Sequence, residues 1–344
     1  MRAVVTRAKG VMEVADVEPP GEPGPGEVIV RPEAVGICGS DFHFYLGELG
    51  TGDGSEFPRI QGHEVGAVVE AVGSGCERGL SSGDNVALHP LSACGRCYPC
   101  RIGRYNVCDN FSLIGIHSDG GLQERLRLPE SLVFPTTESR PAVAALAEPL
   151  SIAVRTVGRA RIEPGEHMAI LGAGPIGQAV GLLGAERGAS ILMVDRLESR
   201  LALGSGMGAE VLPWTNPEEV TELIREWSGG EGPEVVVDAT GVPDAIRAGM
   251  EAVVSAGRLV LVGISHHEVS LRAFGFVDKE LDVLGVSCCK GDEFGDAVAF
   301  VERHGDRLES LVTQEFPLER APEALRWAME HPADSMKVVI GDIN

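Results

Sequence analysis

A thiol, an imidazole and several carboxylates are concentrated between residues 36 and 64. The stretch opens Gly36-Ile37-Cys38-Gly39-Ser40-Asp41-Phe42-His43 and closes Gly62-His63-Glu64. Cysteine, histidine and carboxylate are the donors that zinc takes, and the interspersed glycines let the backbone bend tightly around an ion. Cys38 and His63, with twenty-four residues between them, are the candidate pair for one metal. Taken singly, each also reads as a buried thiol or a satisfied core histidine.

Four more cysteines, Cys94, Cys97, Cys100 and Cys108, fall within fifteen residues as C-x2-C-x2-C-x7-C. In a cytosolic chain such crowding reads as a metal site rather than as disulfides. Four thiolates closed to water suit a structural zinc, with the two-residue gaps wrapping the ion and the longer gap forming a lobe at about 90–110. A nucleic-acid-binding knuckle shares this chemistry, and Arg96, Arg101 and Arg104 are basic. Against it stand the single cluster and a formal net charge of −22, which repels a phosphate backbone and an anionic membrane surface alike.

A second kind of chemistry begins at His167-Met-Ala-Ile-Leu171, an apolar run that reads as a buried parallel strand. It leads into Gly172-Ala173-Gly174-Pro175-Ile176-Gly177 and then a helix. A G-x-G-x-x-G turn between strand and helix cradles a pyrophosphate at the helix N-terminus. Asp195 ends the next strand, eighteen residues after Gly177, where a carboxylate accepts hydrogen bonds from ribose hydroxyls and opposes a 2′-phosphate. NAD is therefore favoured over NADP, with Arg196 alongside as the feature that favours NADP.

These motifs need two scaffolds. Residues 1–35 alternate as short strands broken at Lys9-Gly10 and at the Pro19–Gly26 loop, with Pro32 marking an edge or bulge. Glu64 to Val72, Asn85 to His89, Leu122 to Leu128 and Leu132 to Phe134 continue the pattern, which predicts a partly closed antiparallel β-barrel. Pro141 to Arg161 has helical spacing interrupted at Pro149. From His167, six strands alternate with helices and end at Leu281 to Val286, as in a doubly wound parallel sheet. The tail, with helices at Glu293 to His304 and Glu319 to Glu330 and strands at Val312 to Phe316 and Met336 to Ile340, returns to the first style. The expected division is 1–152, 153–287 and 288–344, the last rejoining the first.

At 344 residues, 44% hydrophobic and 23% charged, the chain suits two soluble domains. No apolar run of 18 residues suggests a membrane span, and Met1 to Thr6 enters a strand directly, so a cytoplasmic location is expected. Only Lys9, Lys279, Lys290 and Lys337 are lysines. Genomic base composition and adaptation to salt both account for such a bias.

The order G-I-C-G-S-D-x-H, G-H-E, C-x2-C-x2-C-x7-C, A-E-P-L and G-x-G-x-x-G resembles the zinc-dependent medium-chain dehydrogenases, most nearly the polyol and threonine dehydrogenase branch. The resemblance spans essentially the whole chain. It implies a GroES-like barrel, a Rossmann domain, two zinc ions per chain and a homodimer or homotetramer. It matches Cys38 and His63 to catalytic zinc ligands, Glu64 to an exchanging ligand, and Glu148 to the carboxylate of the polyol branch where other alcohol dehydrogenases carry cysteine. It makes Asp41 the acid that orients the histidine, and Ser40 and His43 the proton path. Alone, these three read as a turn cap, a turn serine and a surface histidine. Lys337 matches a basic position near the cofactor, or else a solvated lysine. One departure is Gly62-His63-Glu64-Val65-Gly66-Ala67, which has its glycine one place before the usual position. It puts the backbone just after the site in question.

The expected activity is hydride transfer between a secondary alcohol (polyol, sugar acid or hydroxy amino acid) and NAD. Oxidation of a primary alcohol or of formaldehyde, and a non-catalytic zinc-stabilised binding protein, are the alternatives. Specificity is assigned to loops 44–58 and 111–120, with Glu48, Asp53, Glu56 and Arg59 in or beside the first. His117 reads equally as a substrate contact or a hairpin turn, His266-His267 as a surface loop, and Cys288-Cys289 as small residues at a strand end.

Overall fold

A computed structural model describes residues 1–49, 56–265 and 267–343. The chain divides into two compact units, Met1–Ser151 with Cys289–Asn344, and Ile152–Cys288.

In the first unit, alternating apolar residues build a seven-stranded sheet. Its order is Val133–Pro135, Asn85–Leu88, Glu64–Val72, Glu27–Gly36, Lys337–Gly341, Val312–Pro317, with Leu126–Pro129 added to the first half of Glu27–Gly36. Every pairing is antiparallel except the last, Val312–Pro317 with Lys337–Gly341, which is parallel. A second sheet joins Val11–Asp16, Arg2–Ala8 and Arg59–Ile60. Val4, Val28, Val30, Val86, Leu88, Val133 and Ile340 lie in the shared core, fully buried. Burial of each such side chain contributes roughly 1.5–3 kcal/mol before entropy is counted.

Two local expectations need correction, and a third is narrowed. Pro32, expected at an edge or a bulge, lies at a bulge in a central strand. The register shifts between Pro32 and Ala34, so a bulge absorbs the missing N–H. The strand expected from Leu122 forms only over Leu126–Pro129. The helical stretch breaks at Leu146, between Pro141–Ala145 and Ala147–Ala160. Pro149 sits in the first turn of the second helix, where its missing N–H has no partner to lose.

The second unit is a six-stranded parallel sheet, ordered Glu210–Pro213, Ser190–Asp195, His167–Leu171, Val235–Asp238, Arg258–Leu261, Asp282–Gly285. The order reverses at His167–Leu171, the arrangement of a doubly wound fold. Helix Ala273–Asp278, six residues long and without a buried side chain, escaped the periodicity reading.

The displaced glycine has a packing reason. A Cβ on Gly66 would stand 2.1 Å from the Pro141 carbonyl oxygen and 3.2 Å from the Ala145 nitrogen. The strand Glu64–Val72 can lie against helix Pro141–Ala145 only if residue 66 has no side chain. Gly66→Ala is expected to lose about 1–3 kcal/mol by overpacking, or more since backbone must move. Thermal unfolding beside an Ala67→Gly control checks this, and an unchanged melting temperature for Gly66→Ala would refute the close packing.

Candidate functional site

The strand Glu27–Gly36 delivers Cys38 to the N-cap of helix Gly39–Tyr45. Asp41, in the first turn, accepts the Cys38 backbone N–H on Oδ2 at 2.9 Å. Asp41 is thus a turn cap, and it also faces His63, whose Nδ1 lies 3.8 Å from Asp41 Oδ1. Ser40 Oγ stands 3.4 Å from His63 Nε2 on the other side of the ring. Donor atoms of Cys38, His63 and Glu64 all lie within 4.8 Å of one another.

Glu64 and Lys337 come from strands on either side of Glu27–Gly36. Gly36 lies opposite Glu64 on one side and Val339 on the other. Lys337 Nζ donates to Glu64 Oε1 at 2.6 Å and to the Ile37 carbonyl at 3.0 Å. A Cβ on Gly36 would lie 2.1 Å from Glu64 Oε2, so the first glycine of the motif leaves room for this carboxylate. Lys337 is 3% exposed, which corrects its reading as a solvated lysine.

The remaining polar atoms point to a cation. Glu64 Oε2 is buried without a hydrogen-bond partner, and His63 Nδ1, turned toward Asp41 Oδ1 at 3.8 Å, leaves Nε2 as the ring nitrogen for an ion. Burial alone pushes the His63 imidazole down, yet Asp41, Cys38 and Glu148 together hold it well above its usual range. Burial likewise lowers Lys337, but Glu64, Cys38 and Glu148 raise it overall. Burial pushes Glu148 up to about 7, reinforced by Glu64. Bases that stay protonated despite burial report a strongly negative field. A divalent ion among sulfur, nitrogen and oxygen donors fits that field and that donor set. The Glu148 carboxylate is buried and feels these groups, but it lies outside the mutually close set of Cys38, His63 and Glu64.

Cys94, Cys97, Cys100 and Cys108 form the other close donor set. Cys97 Sγ is 3.3 Å from Cys100 Sγ and 3.6 Å from Cys108 Sγ. Tetrahedral sulfurs on one zinc stand roughly 3.8 Å apart, given a Zn–S distance of about 2.3 Å. The backbone N–H groups of Cys94 and Asn110 each lie 3.3 Å from Cys108 Sγ. Without a cation the thiols compete. Backbone N–H groups of Arg96 and Cys97 pull Cys94 down to about 6, while desolvation and neighbouring thiols push Cys100 up to about 12. A bound dication removes that conflict, so this donor set fits zinc too.

In the second unit the glycine turn opens helix Pro175–Glu186 with Gly174 as its N-cap. A Cβ on Gly177 would fall 1.9 Å from the Gly172 carbonyl, while one on Gly174 would meet nothing nearer than Arg200 Nη1 at 3.6 Å. Gly177 therefore serves close packing, and Gly174 keeps the approach to the backbone open. Pro175 and Ile176 form the first turn. Asp195 accepts the Ala173 N–H at 2.8 Å and the Leu197 N–H at 2.9 Å, with Arg200 Nη1 at 3.9 Å and Arg196 exposed.

The other candidates separate. His43 Nδ1 pairs with Glu48 Oε2 at 2.7 Å. His117 Nδ1 accepts the Leu113 N–H at 3.1 Å and meets Phe111 edge-on, as its hairpin reading expects. Arg59 reaches Asp119 at 3.5 Å. Cys289 is buried, and Cys288 adopts φ +47°. Asp53 and His266, with the rest of loop 50–55, lie outside the described residues; His267 is exposed. Sequence reasoning passed over Thr6, Gln61 and Gln178, all fully buried. Gln178 Nε2 donates to the Ala173 and Arg200 carbonyls and so braces the glycine turn. The signal for Thr6 and Gln178 was polarity within a strand or helix; Gln61, in the loop before His63, carried none.

Residues 24–138 match the alcohol dehydrogenase GroES-like domain, and residues 175–303 match the zinc-binding dehydrogenase family. Sorbitol dehydrogenase of Bacillus subtilis (strain 168) is 32% identical over 324 residues, covering 91% of this chain and 90% of that one. The chain belongs to the zinc-type medium-chain dehydrogenases. Two solved structures are similar over nearly their full length. One is an alcohol dehydrogenase from Escherichia coli CFT073 complexed with NADH, with a TM-score of 0.87, 27% identity and 99% of each chain covered. The other is a protein of the zinc-binding dehydrogenase class from Sinorhizobium meliloti 1021 bound to NADP, with a TM-score of 0.89, 29% identity and 98% of each chain covered.

The buried Glu64–Lys337 pair makes a stability prediction. Lys337→Met leaves an uncompensated carboxylate and is expected to cost about 3–5 kcal/mol. Adding Glu64→Gln should recover much of that loss in a urea-unfolding double-mutant cycle. Additive losses would show that the two groups do not interact.

Proposed function

We propose that this dehydrogenase oxidises secondary alcohols, namely polyols, sugar acids or hydroxy amino acids, to the carbonyl with NAD as acceptor. The convergence of Cys38, His63 and Glu64, with Ser40 against His63, carries the reading. Cys38 and His63, with Glu64 or Glu148, would hold the catalytic zinc, and the four clustered cysteines a structural one. Bound zinc supplies Lewis acidity that acidifies an alcohol oxygen, and bound NAD supplies the hydride acceptor.

The chain's own residues provide for the proton and for the orientation of the site. Ser40 would take the alcohol proton on Oγ and release its own hydroxyl proton toward His43. His43, one helical turn on, passes a proton toward solvent. Both face the same side of helix Gly39–Tyr45, since residues three apart are neighbours there. The helix ends in a Schellman turn, with Gly47 N–H to Phe44 O at 2.9 Å and Glu48 N–H to His43 O at 2.8 Å. That turn brings residue 48 over residue 43, and here the contact is the His43–Glu48 hydrogen bond. Lys337 keeps one oxygen of Glu64 occupied, leaving Oε2 for exchange at the metal.

Relatives with polyol activity support the substrate class. Glu148 in place of a cysteine disfavours the primary-alcohol and formaldehyde readings, and the full donor set disfavours a non-catalytic binding protein. Asp195 supports NAD, since its carboxylate opposes a 2′-phosphate. No described helix is long and apolar enough to cross a membrane. Cys94, Cys97, Cys100 and Cys108, present as thiols, support a reducing compartment such as the cytoplasm. Exposed Phe274 and Val277, beside the edge strand Asp282–Gly285, support pairing into a dimer or tetramer.

NADH formation over a panel of polyols, sugar acids, hydroxy amino acids and primary alcohols tests the reading. Secondary alcohols should give the highest kcat/KM. Preference for primary alcohols, or turnover of none, would contradict it. Asp195→Ser should shift the NAD-to-NADP ratio of kcat/KM toward NADP by at least tenfold, and an unchanged ratio would remove Asp195 from cofactor choice.

A further inference from the structure

Behind the His63 ligand lies a hydrogen-bonded chain that reaches another strand of the barrel. Thr6 belongs to strand Arg2–Ala8 and pairs in register with Arg59, two residues before Gln61. Thr6 and Gln61 are both 0% exposed. Thr6 Oγ1 donates to Gln61 Oε1 at 2.5 Å. Gln61 Nε2 donates one hydrogen to the Asp41 carbonyl and the other to Asp41 Oδ1, each at 3.1 Å. Asp41 Oδ1 in turn faces His63 Nδ1. Every polar atom of the Gln61 side chain is thereby used, and every donor points toward the next acceptor.

We propose that Thr6 and Gln61 are positioning residues for the catalytic metal, holding Asp41 in the orientation that presents His63 as a ligand. This rests on the assignment of Cys38 and His63 as zinc ligands. The physical case is one of polar satisfaction in a dry interior. Were the Gln61 amide reversed, its oxygen would confront two Asp41 oxygens at hydrogen-bonding distance. Were the Thr6 hydroxyl absent, Gln61 Oε1 would be buried without a donor, a state that costs far more than an ordinary hydrogen bond contributes. The amide would then be released to seek another orientation, and Asp41 would lose its anchor. Such outer partners of a ligating histidine alter metal affinity without touching the ion. Shape does not account for the arrangement, since valine fills the space of threonine beside the buried Val4 and Val5 of the same strand.

Thr6→Val, Thr6→Ser and Gln61→Leu, compared with the parent as full-length protein, test the proposal. Zinc affinity is read by chelator competition with the cysteine cluster kept loaded. Cobalt substituted at the Cys38–His63 site gives a visible ligand-field spectrum. Thr6→Val and Gln61→Leu are expected to weaken zinc binding at this site by about 10–100-fold and to change the cobalt spectrum. Thr6→Ser, which keeps the hydroxyl, should stay within about threefold of the parent. If Thr6→Val destabilises the fold, the Thr6→Ser rescue and the cobalt spectrum of the folded fraction still decide. Parent affinity and spectrum in a folded Thr6→Val or Gln61→Leu would overturn the proposal. So would a Thr6→Ser variant as impaired as Thr6→Val. A parent that takes up only the ion of the cysteine cluster would sink the ligand assignment as well, whereas two tightly held ions without turnover would count against the proposed reaction alone.

Discussion

Cys38, Asp41, Glu64 and Glu148 gather around one histidine and one lysine, with all but Cys38 buried. That concentration of negative charge is the constraint to which the rest of the first unit answers. Acids in a dry interior ordinarily lose their protons only beside compensating charge. Here Lys337 supplies one positive charge directly, and the unpartnered Oε2 of Glu64 leaves room for another. The two halves of the first unit are thereby joined. Lys337 comes from residues 289–344 and Glu64 from residues 1–151, and they meet over a glycine in the strand between them. The tail of the chain thus completes the site in a way that its distance in sequence conceals.

Three glycines show how backbone geometry serves this chemistry. Gly36 admits the Glu64 carboxylate, Gly66 admits helix Pro141–Ala145, and Gly177 admits the Gly172 carbonyl. Each would bring a Cβ to within about 2 Å of an oxygen, closer than any side chain tolerates. The helix that Gly66 accommodates is followed directly by Ala147–Ala160, which carries Glu148. A glycine one place from its usual position is therefore part of how the carboxylate is brought to the site.

Much of this was legible in the sequence because the informative residues carry their own context. C-x2-C-x2-C-x7-C predicts a cluster by spacing, and the sulfurs do converge. G-x-G-x-x-G follows an apolar strand, and the expected six strands form one parallel sheet. What escaped has physical causes. Lys337 read equally as a basic group near the cofactor or a solvated lysine, and only its burial beside Glu64 removes the second reading. The break at Leu146 instead of Pro149 reflects the tolerance of a first helical turn for proline. Thr6 and Gln61 were invisible because a polar residue in a short strand or in the loop after one reads as solvent-facing until tertiary packing buries it.

The central claim is that Cys38 and His63 share a catalytic zinc separate from the ion of the cysteine cluster. The most direct measurement is metal content per chain, read together with turnover, for the parent and Cys38→Ser. The account predicts two zinc ions in the parent. In the variant it predicts one, with no turnover, an intact fold and an unchanged cysteine-cluster site. A Cys38→Ser protein that retains both ions, or that turns over at the parental rate, would contradict it.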